Sequence, residues 1–97
     1  MDYSRAIKNF KSESCFHNIN RAEAEAILKN SPESSLLIRP SSRGDNLYAM
    51  SINKEKFVFH VLVKLGYNGK VLVNNNIYHD WNQYKRLNLP DFITINK

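Results

Sequence analysis

The residues best equipped for chemistry gather around one short stretch, Leu36 to Gly44, which reads LLIRPSSRG. An apolar run, Leu36-Leu37-Ile38, delivers Arg39 and stops on Pro40. A strand of Leu and Ile is built for burial, and a guanidinium in its line is costly unless something pairs with it. Ser41, Ser42, Arg43 and Gly44 follow directly and bring hydroxyls, a second guanidinium and free turn amides. His60, in FVFHVLV, and Arg21, which opens RAEAEAILK, are the further candidates. A bidentate guanidinium, charge-assisted hydrogen bonds and a nest of backbone amides suit a phosphate. The competing interpretation is internal, with Arg39 in a structural ion pair to Glu23, Glu25 or Asp45.

Other chemistry has thinner support. Cys15 and His17 stand two apart with no clear orienting partner for a thiol nucleophile. His17 and His79 lack the Cys/His spacing of a zinc site. Trp81 and Tyr84 at helical spacing read as core. Lys8, Lys11, Lys54, Lys56, Lys70 and Lys85 are scattered, as on a solvated face. No cofactor and no enzymatic activity are expected.

The elements that must position the candidates can be traced along the chain. Asn20 caps a helix and Glu23 answers it as in a capping box, with Ala24, Ile27 and Leu28 as the buried stripe and Pro32 beyond its end. Leu36 to Arg39 is a strand whose regular pairing ends near Pro40. Leu47 to Ile52 and Phe57 to Lys64 follow as strands, the latter rich in β-branched and aromatic residues. Asn68-Gly69 is a hairpin signal, and Val71 to Val73 returns from it. Ile77, Trp81, Tyr84 and Leu87 at helical spacing predict a second helix, and Phe92 to Ile95 a closing strand. Tyr3, Ala6, Ile7 and Phe10 make residues 1–13 either a short helix or an extension, ahead of a domain over residues 14–97.

The expected fold class is α+β, a central antiparallel β-sheet flanked by two α-helices. Strand alternation places Leu37, Arg39 and Ser41 on one face, and Val58, His60 and Leu62 share a face of their own strand. The opposite face, with Phe57, Phe59, Val61 and Val63, is the more apolar and reads as the main core. If the two strands lie in one sheet, Arg39 and His60 point the same way, under the helix that Arg21 begins.

Composition sets the outer limits. The chain has 97 residues, 42% hydrophobic and 24% charged, enough for one globular domain. No apolar run approaches the roughly 20 residues of a membrane span. The net charge of +5 points to an anionic partner without choosing among phosphate, nucleic acid and an acidic membrane face. The single cysteine, Cys15, fits a reducing compartment, so the expected location is cytoplasmic.

Four stretches in order resemble the Src homology 2 (SH2) domain, the phosphotyrosine-binding module. CFHNINRAEAEAIL is similar to the family's opening strand and first helix, SLLIRPSS to its second strand, LYAMSI to its third and FVFHVLV to its fourth. Together they cover Cys15 to about Lys64. The resemblance implies that Arg39 grips the phosphate through two parallel hydrogen bonds, and that Arg21 reaches phosphate and ring. Ser41 matches the serine at the strand end, Ser42 and Arg43 fall in the phosphate-binding loop, and His60 shapes the pocket. Ala49 matches a small residue of the pocket wall. Departures are visible too. Ser14 or Cys15 stands where a tryptophan is usual. Leu62 replaces a lysine, exchanging a cation for apolar contact with the ring, a charge that Arg43 restores. After Lys64 the match fades, and the usual second pocket is in doubt.

The resemblance implies a non-catalytic, monomeric module that tethers its protein to tyrosine-phosphorylated proteins or peptides, with no nucleic acid partner and no stable membrane insertion. The alternative is a small basic domain that binds anionic lipid headgroups or nucleic acid. The divergence and the asparagine bias suit a microbial protein that meets eukaryotic phosphotyrosine; for a secreted effector the location would be the host cytosol.

Overall fold

A computed structural model of the chain describes residues 3–44 and 46–97. Three helices, α1 (Ser4–Lys11), α2 (Arg21–Lys29) and α3 (Trp81–Asn88), accompany six strands. These are β1 (Ser35–Pro40), β2 (Leu47–Lys54), β3 (Phe57–Leu65), β4 (Val71–Val73), β5 (Asn76–Tyr78) and β6 (Ile93–Thr94). They form one sheet in the order β5-β4-β3-β2-β1-β6. All neighbours are antiparallel except β6, which lies parallel to β1. The class is α+β.

The local signals act as their chemistry requires. Asn20 Oδ1 accepts from Glu23 N–H at 2.8 Å and Glu23 Oε1 accepts from Asn20 N–H at 3.1 Å, closing the capping box of α2. Asp80 caps α3 by accepting from Gln83 N–H at 2.8 Å. Gly69, at φ +87°, takes the left-handed position of the turn between β3 and β4. Glu55 and Lys56 both adopt positive φ in the tight turn between β2 and β3, and the Glu33 carboxylate accepts from Glu55 N–H.

Helices cover both faces of the sheet. On one side α2 seals Ala24 and Leu28 over Leu37, with Val58 alongside. On the other, α1 and α3 bury Ala6, Phe10, Trp81 and Tyr84 against Leu36, Ile38, Tyr48, Met50, Val63 and Leu65. Cys15 is buried in this larger core, and burial pushes its thiol pKa above the ordinary value.

Several sequence expectations need correction. Residues near Cys15 do not form an opening strand; they make a single parallel bridge, Phe16 to Ile38, before the chain turns away. Asn74 and Asn75, both at positive φ, turn the chain into the additional strand β5. Ile77 therefore belongs to β5, 71% exposed, and not to the helical stripe of Trp81 and Tyr84. Leu87 is in α3 but exposed. Phe57 and Phe59 share the core face by alternation yet are 67% and 51% exposed, because the core under α1 and α3 reaches only the Val61 and Val63 end of β3.

Candidate anion-binding site

Register places the candidates on the α2 face in adjacent rows. Arg39 lies opposite Ala49, and Ala49 opposite Leu62. The next row is Leu37, Ser51 and His60. Directly opposed residues of antiparallel strands point to the same side, so Arg39 and His60 share a face.

Arg39 is 7% exposed, and among the described residues its guanidinium meets only neutral partners. Its Nε donates to Ser51 Oγ at 3.1 Å, Nη1 to the Pro40 carbonyl at 3.3 Å and Nη2 to His60 Nδ1 at 3.2 Å. A guanidinium cannot accept, so His60 Nδ1 is an acceptor and its proton sits on Nε2. Ser51 Oγ, 2.8 Å from Nδ1, donates to that same lone pair. His60 Nε2 in turn donates to Glu25 Oε1 at 2.9 Å. Burial first, then the nearby charge of Arg21, lower the Arg39 pKa from its ordinary value, while Glu25 acts in the opposite direction. The side chain stays charged, so among the described residues it is a buried cation short of anionic partners. Among the described residues no carboxylate forms an ion pair with it. The internal pairing with Glu23 or Glu25 is not found, and Asp45 lies outside the described residues.

Two segments frame this guanidinium. Helix α2 brings Arg21, whose Nε donates to Glu25 Oε1 at 3.2 Å with the arginine side chain 71% exposed. Glu25 thus accepts from both His60 and Arg21, and these bonds, His60 first, hold its carboxyl below the usual range. The turn after β1 is folded on itself by Arg43 N–H donating to Ser41 Oγ at 3.2 Å, and Ser41 N–H is spent on the Leu47 carbonyl at 3.0 Å. Between helix and turn lies a concavity of about 520 Å³ whose lining includes Arg21, Arg39, Ser41 and Ser42.

The family model for the SH2 domain matches residues 5–85. The chain belongs to the SH2 domain family. Its fold is similar to the SH2 domain of a CRK/CRKL homolog from Monosiga brevicollis, solved in solution by NMR, with a TM-score of 0.73 and 18% identity over 88% of this chain and 85% of that one. It is also similar to the tandem SH2 domain of the transcription elongation factor Spt6, which binds the phosphorylated C-terminal repeat domain of RNA polymerase II. That likeness has a TM-score of 0.69 and 24% identity, covering 77% of this chain and 43% of the other. No curated protein matches the chain.

Within this SH2 domain, Arg39, Arg21, Ser41 and Ser42 line one concavity. His60 and Ala49 sit behind it, His60 through its bond to Arg39 and Ala49 as a buried spacer in the Arg39 row. Leu62 ends that row, 44% exposed. Arg43 is exposed on the turn and is not among the lining residues. Two participants were not anticipated in their observed roles. Ser51 joins Arg39 to His60, and the signal was available, because Ala49, Ser51 and Asn53 make one face of LYAMSINK small and polar. Glu25, which the sequence offers only as a partner for Arg39, instead holds His60 and Arg21. Among the described residues no group of three His, Cys, Asp or Glu side chains could hold a metal, and no helix is long and apolar enough to cross a membrane.

Proposed function

We propose that the chain is a non-catalytic phosphotyrosine-recognition module that tethers its protein, as a monomer in the cytosol, to tyrosine-phosphorylated partners. One observation carries this reading above the others. Arg39 is buried, paired with no carboxylate among the described residues, and its three hydrogen bonds leave one N–H on each terminal nitrogen. A desolvated cation with neutral neighbours is stabilised most by an anion that offers two oxygens in the guanidinium plane, as phosphate does. Arg21 reaches the same anion from α2, while Ser41, Ser42 and Arg43 supply the loop. His60 fixes the guanidinium. Ala49 keeps the wall low, and Leu62 flanks an aromatic ring. Because Arg39 lies deep, a long phosphorylated side chain reaches it and a short one does not, which favours phosphotyrosine over phosphoserine.

The test is a calorimetric titration with a phosphotyrosine peptide, its unphosphorylated twin and a phosphoserine version. Only the first is expected to bind, and free phosphotyrosine displaces it. Equal binding of the phosphotyrosine and phosphoserine peptides, or displacement by raised salt alone, overturns the reading.

A further inference from the structure

Resting on that phosphotyrosine reading, we infer that Glu25 is a built-in competitor for the phosphate, an intramolecular anion that occupies Arg21 and His60 until a ligand displaces it. One oxygen, Glu25 Oε1, accepts from Arg21 Nε at 3.2 Å and from His60 Nε2 at 2.9 Å. The same carboxylate favours the charged form of Arg39 at a distance, without touching it. Glu25 is therefore a counter-anion of a cluster whose two arginines line the concavity; the carboxylate in that lining is Glu23, which accepts from Asn20 N–H in the helix cap. A phosphate seated on Arg39 changes both terms. It offers Arg21 a stronger acceptor, and it brings negative charge towards the carboxylate that holds Arg21 back.

The contact is built to exchange. The Arg21 and Glu25 side chains are 71% and 46% exposed, so their ion pair is worth little in water and is given up cheaply. Glu25 also has a second cation within helical reach. Lys29, four residues on, lines with Lys56 and Glu25 the adjoining groove along α2 and β3. A Glu followed four residues later by a Lys is the favourable order for a helical ion pair. Glu25 thus has two seats, Arg21 and His60 in the free domain and Lys29 in the liganded one. His60 keeps its place through Nδ1, bonded to Arg39 and Ser51, while its nearly buried Nε2–H gives up the Glu25 acceptor, and that lost bond is the main cost of the exchange.

The experiment is a double-mutant cycle on the folded domain, titrated by calorimetry with one phosphotyrosine peptide and its unphosphorylated twin. Glu25→Gln keeps the reach and helix propensity of the side chain and removes its charge. It is expected to tighten phosphotyrosine binding about threefold to tenfold, the scale of one exposed ion pair given up and one repulsion removed. In an Arg21→Ala background that gain is expected to disappear. Equal or weaker binding by Glu25→Gln in the wild-type background overturns the inference and makes Glu25 a positioning residue. An equal gain with and without Arg21 overturns it as well, because the effect is then general repulsion. A wild-type domain that does not distinguish the peptide from its twin overturns the phosphotyrosine reading and this inference with it. A wild type that does distinguish them, with Glu25→Gln no tighter, overturns this inference alone.

Discussion

The two faces of β1, β2 and β3 use the same backbone for opposite purposes. On the α1 and α3 side, the cross-strand rows place Ile38, Met50 and Val61 together, and Tyr48 beside Val63, all within or against the large apolar core. On the α2 side, the buried apolar cluster among the described residues is Ala24, Leu28 and Leu37, with Ile19, Ile27, Val58 and Ile95 at its margin. Beside it stand Arg39, Ser51 and His60, bonded mainly to one another. One face therefore carries most of the burial that stabilises the fold, and this lets the other hold a desolvated cation with unused donors. Separating these duties predicts that substitutions on the two faces fail in different ways.

The largest contrast is expected at Arg39. Arg39→Ala should abolish phosphotyrosine-peptide binding, a loss on the order of 2–5 kcal/mol, while the thermal midpoint stays close to wild type or rises. Arg39→Lys should fail almost as badly, because an ammonium cannot reproduce the fork. Calorimetry paired with thermal melting reads both quantities, and a variant binding within threefold of wild type breaks the division of faces.

The mirror experiment is Ile38→Ala, one residue earlier in β1. Its side chain is fully buried in the opposite core, so urea unfolding should show about 2–5 kcal/mol lost, with peptide affinity nearly unchanged in whatever fraction remains folded. A large change in affinity at unchanged stability would mean that the faces are not separate.

Ser51→Ala sharpens the comparison within the α2 face. It leaves buried Arg39 Nε–H without its acceptor and costs about 1–3 kcal/mol, divided between stability and affinity because Ser51 aligns both Arg39 and His60. If unfolding and binding are both untouched, the link from Arg39 through Ser51 to His60 is idle.

The smallest effect is expected from ligand residues that follow the phosphotyrosine. The turn between β4 and β5 is only Asn74 and Asn75, and Leu89 to Phe92 alone joins α3 to β6. Connectors this short offer little surface for a second pocket. A randomised phosphotyrosine library should show less than tenfold preference, under about 1.4 kcal/mol, at any following position. A stronger preference would give the α1 and α3 side a share in recognition.

What could be read from sequence alone follows the range of each signal. The capping box of Asn20 and Glu23, the hairpin at Asn68-Gly69 and the alternation of Arg39 and His60 are encoded within a few residues, and each appears in the fold as expected. The failures are longer in range or shorter in extent. Ile77 stands at helical spacing from Trp81 and Tyr84, and β5 has three residues, too few to display alternation against that period. The parallel pairing of β6 with β1 joins Ile93 to Ser35, for which no local pattern exists. Phe57 and Phe59 looked like core because alternation reports a face and not what covers it. In the site, residue type revealed Arg39, while the roles of Ser51 and Glu25 depend on which side chains the folded sheet and helix bring within hydrogen-bond reach.

The most direct test of a phosphate on the α2 face is NMR chemical-shift mapping during titration with free phosphotyrosine, following the arginine Nε–H and histidine ring signals with the backbone amides. Large shifts are expected at Arg39 Nε–H, smaller ones at Arg21 and His60, amide shifts across Ser41, Ser42 and Ser51, and quiet signals at Ile38, Met50 and Val63. Shifts centred on α1 or α3, or an Arg39 Nε–H that does not move while phosphotyrosine binds, would contradict this placement of the phosphate.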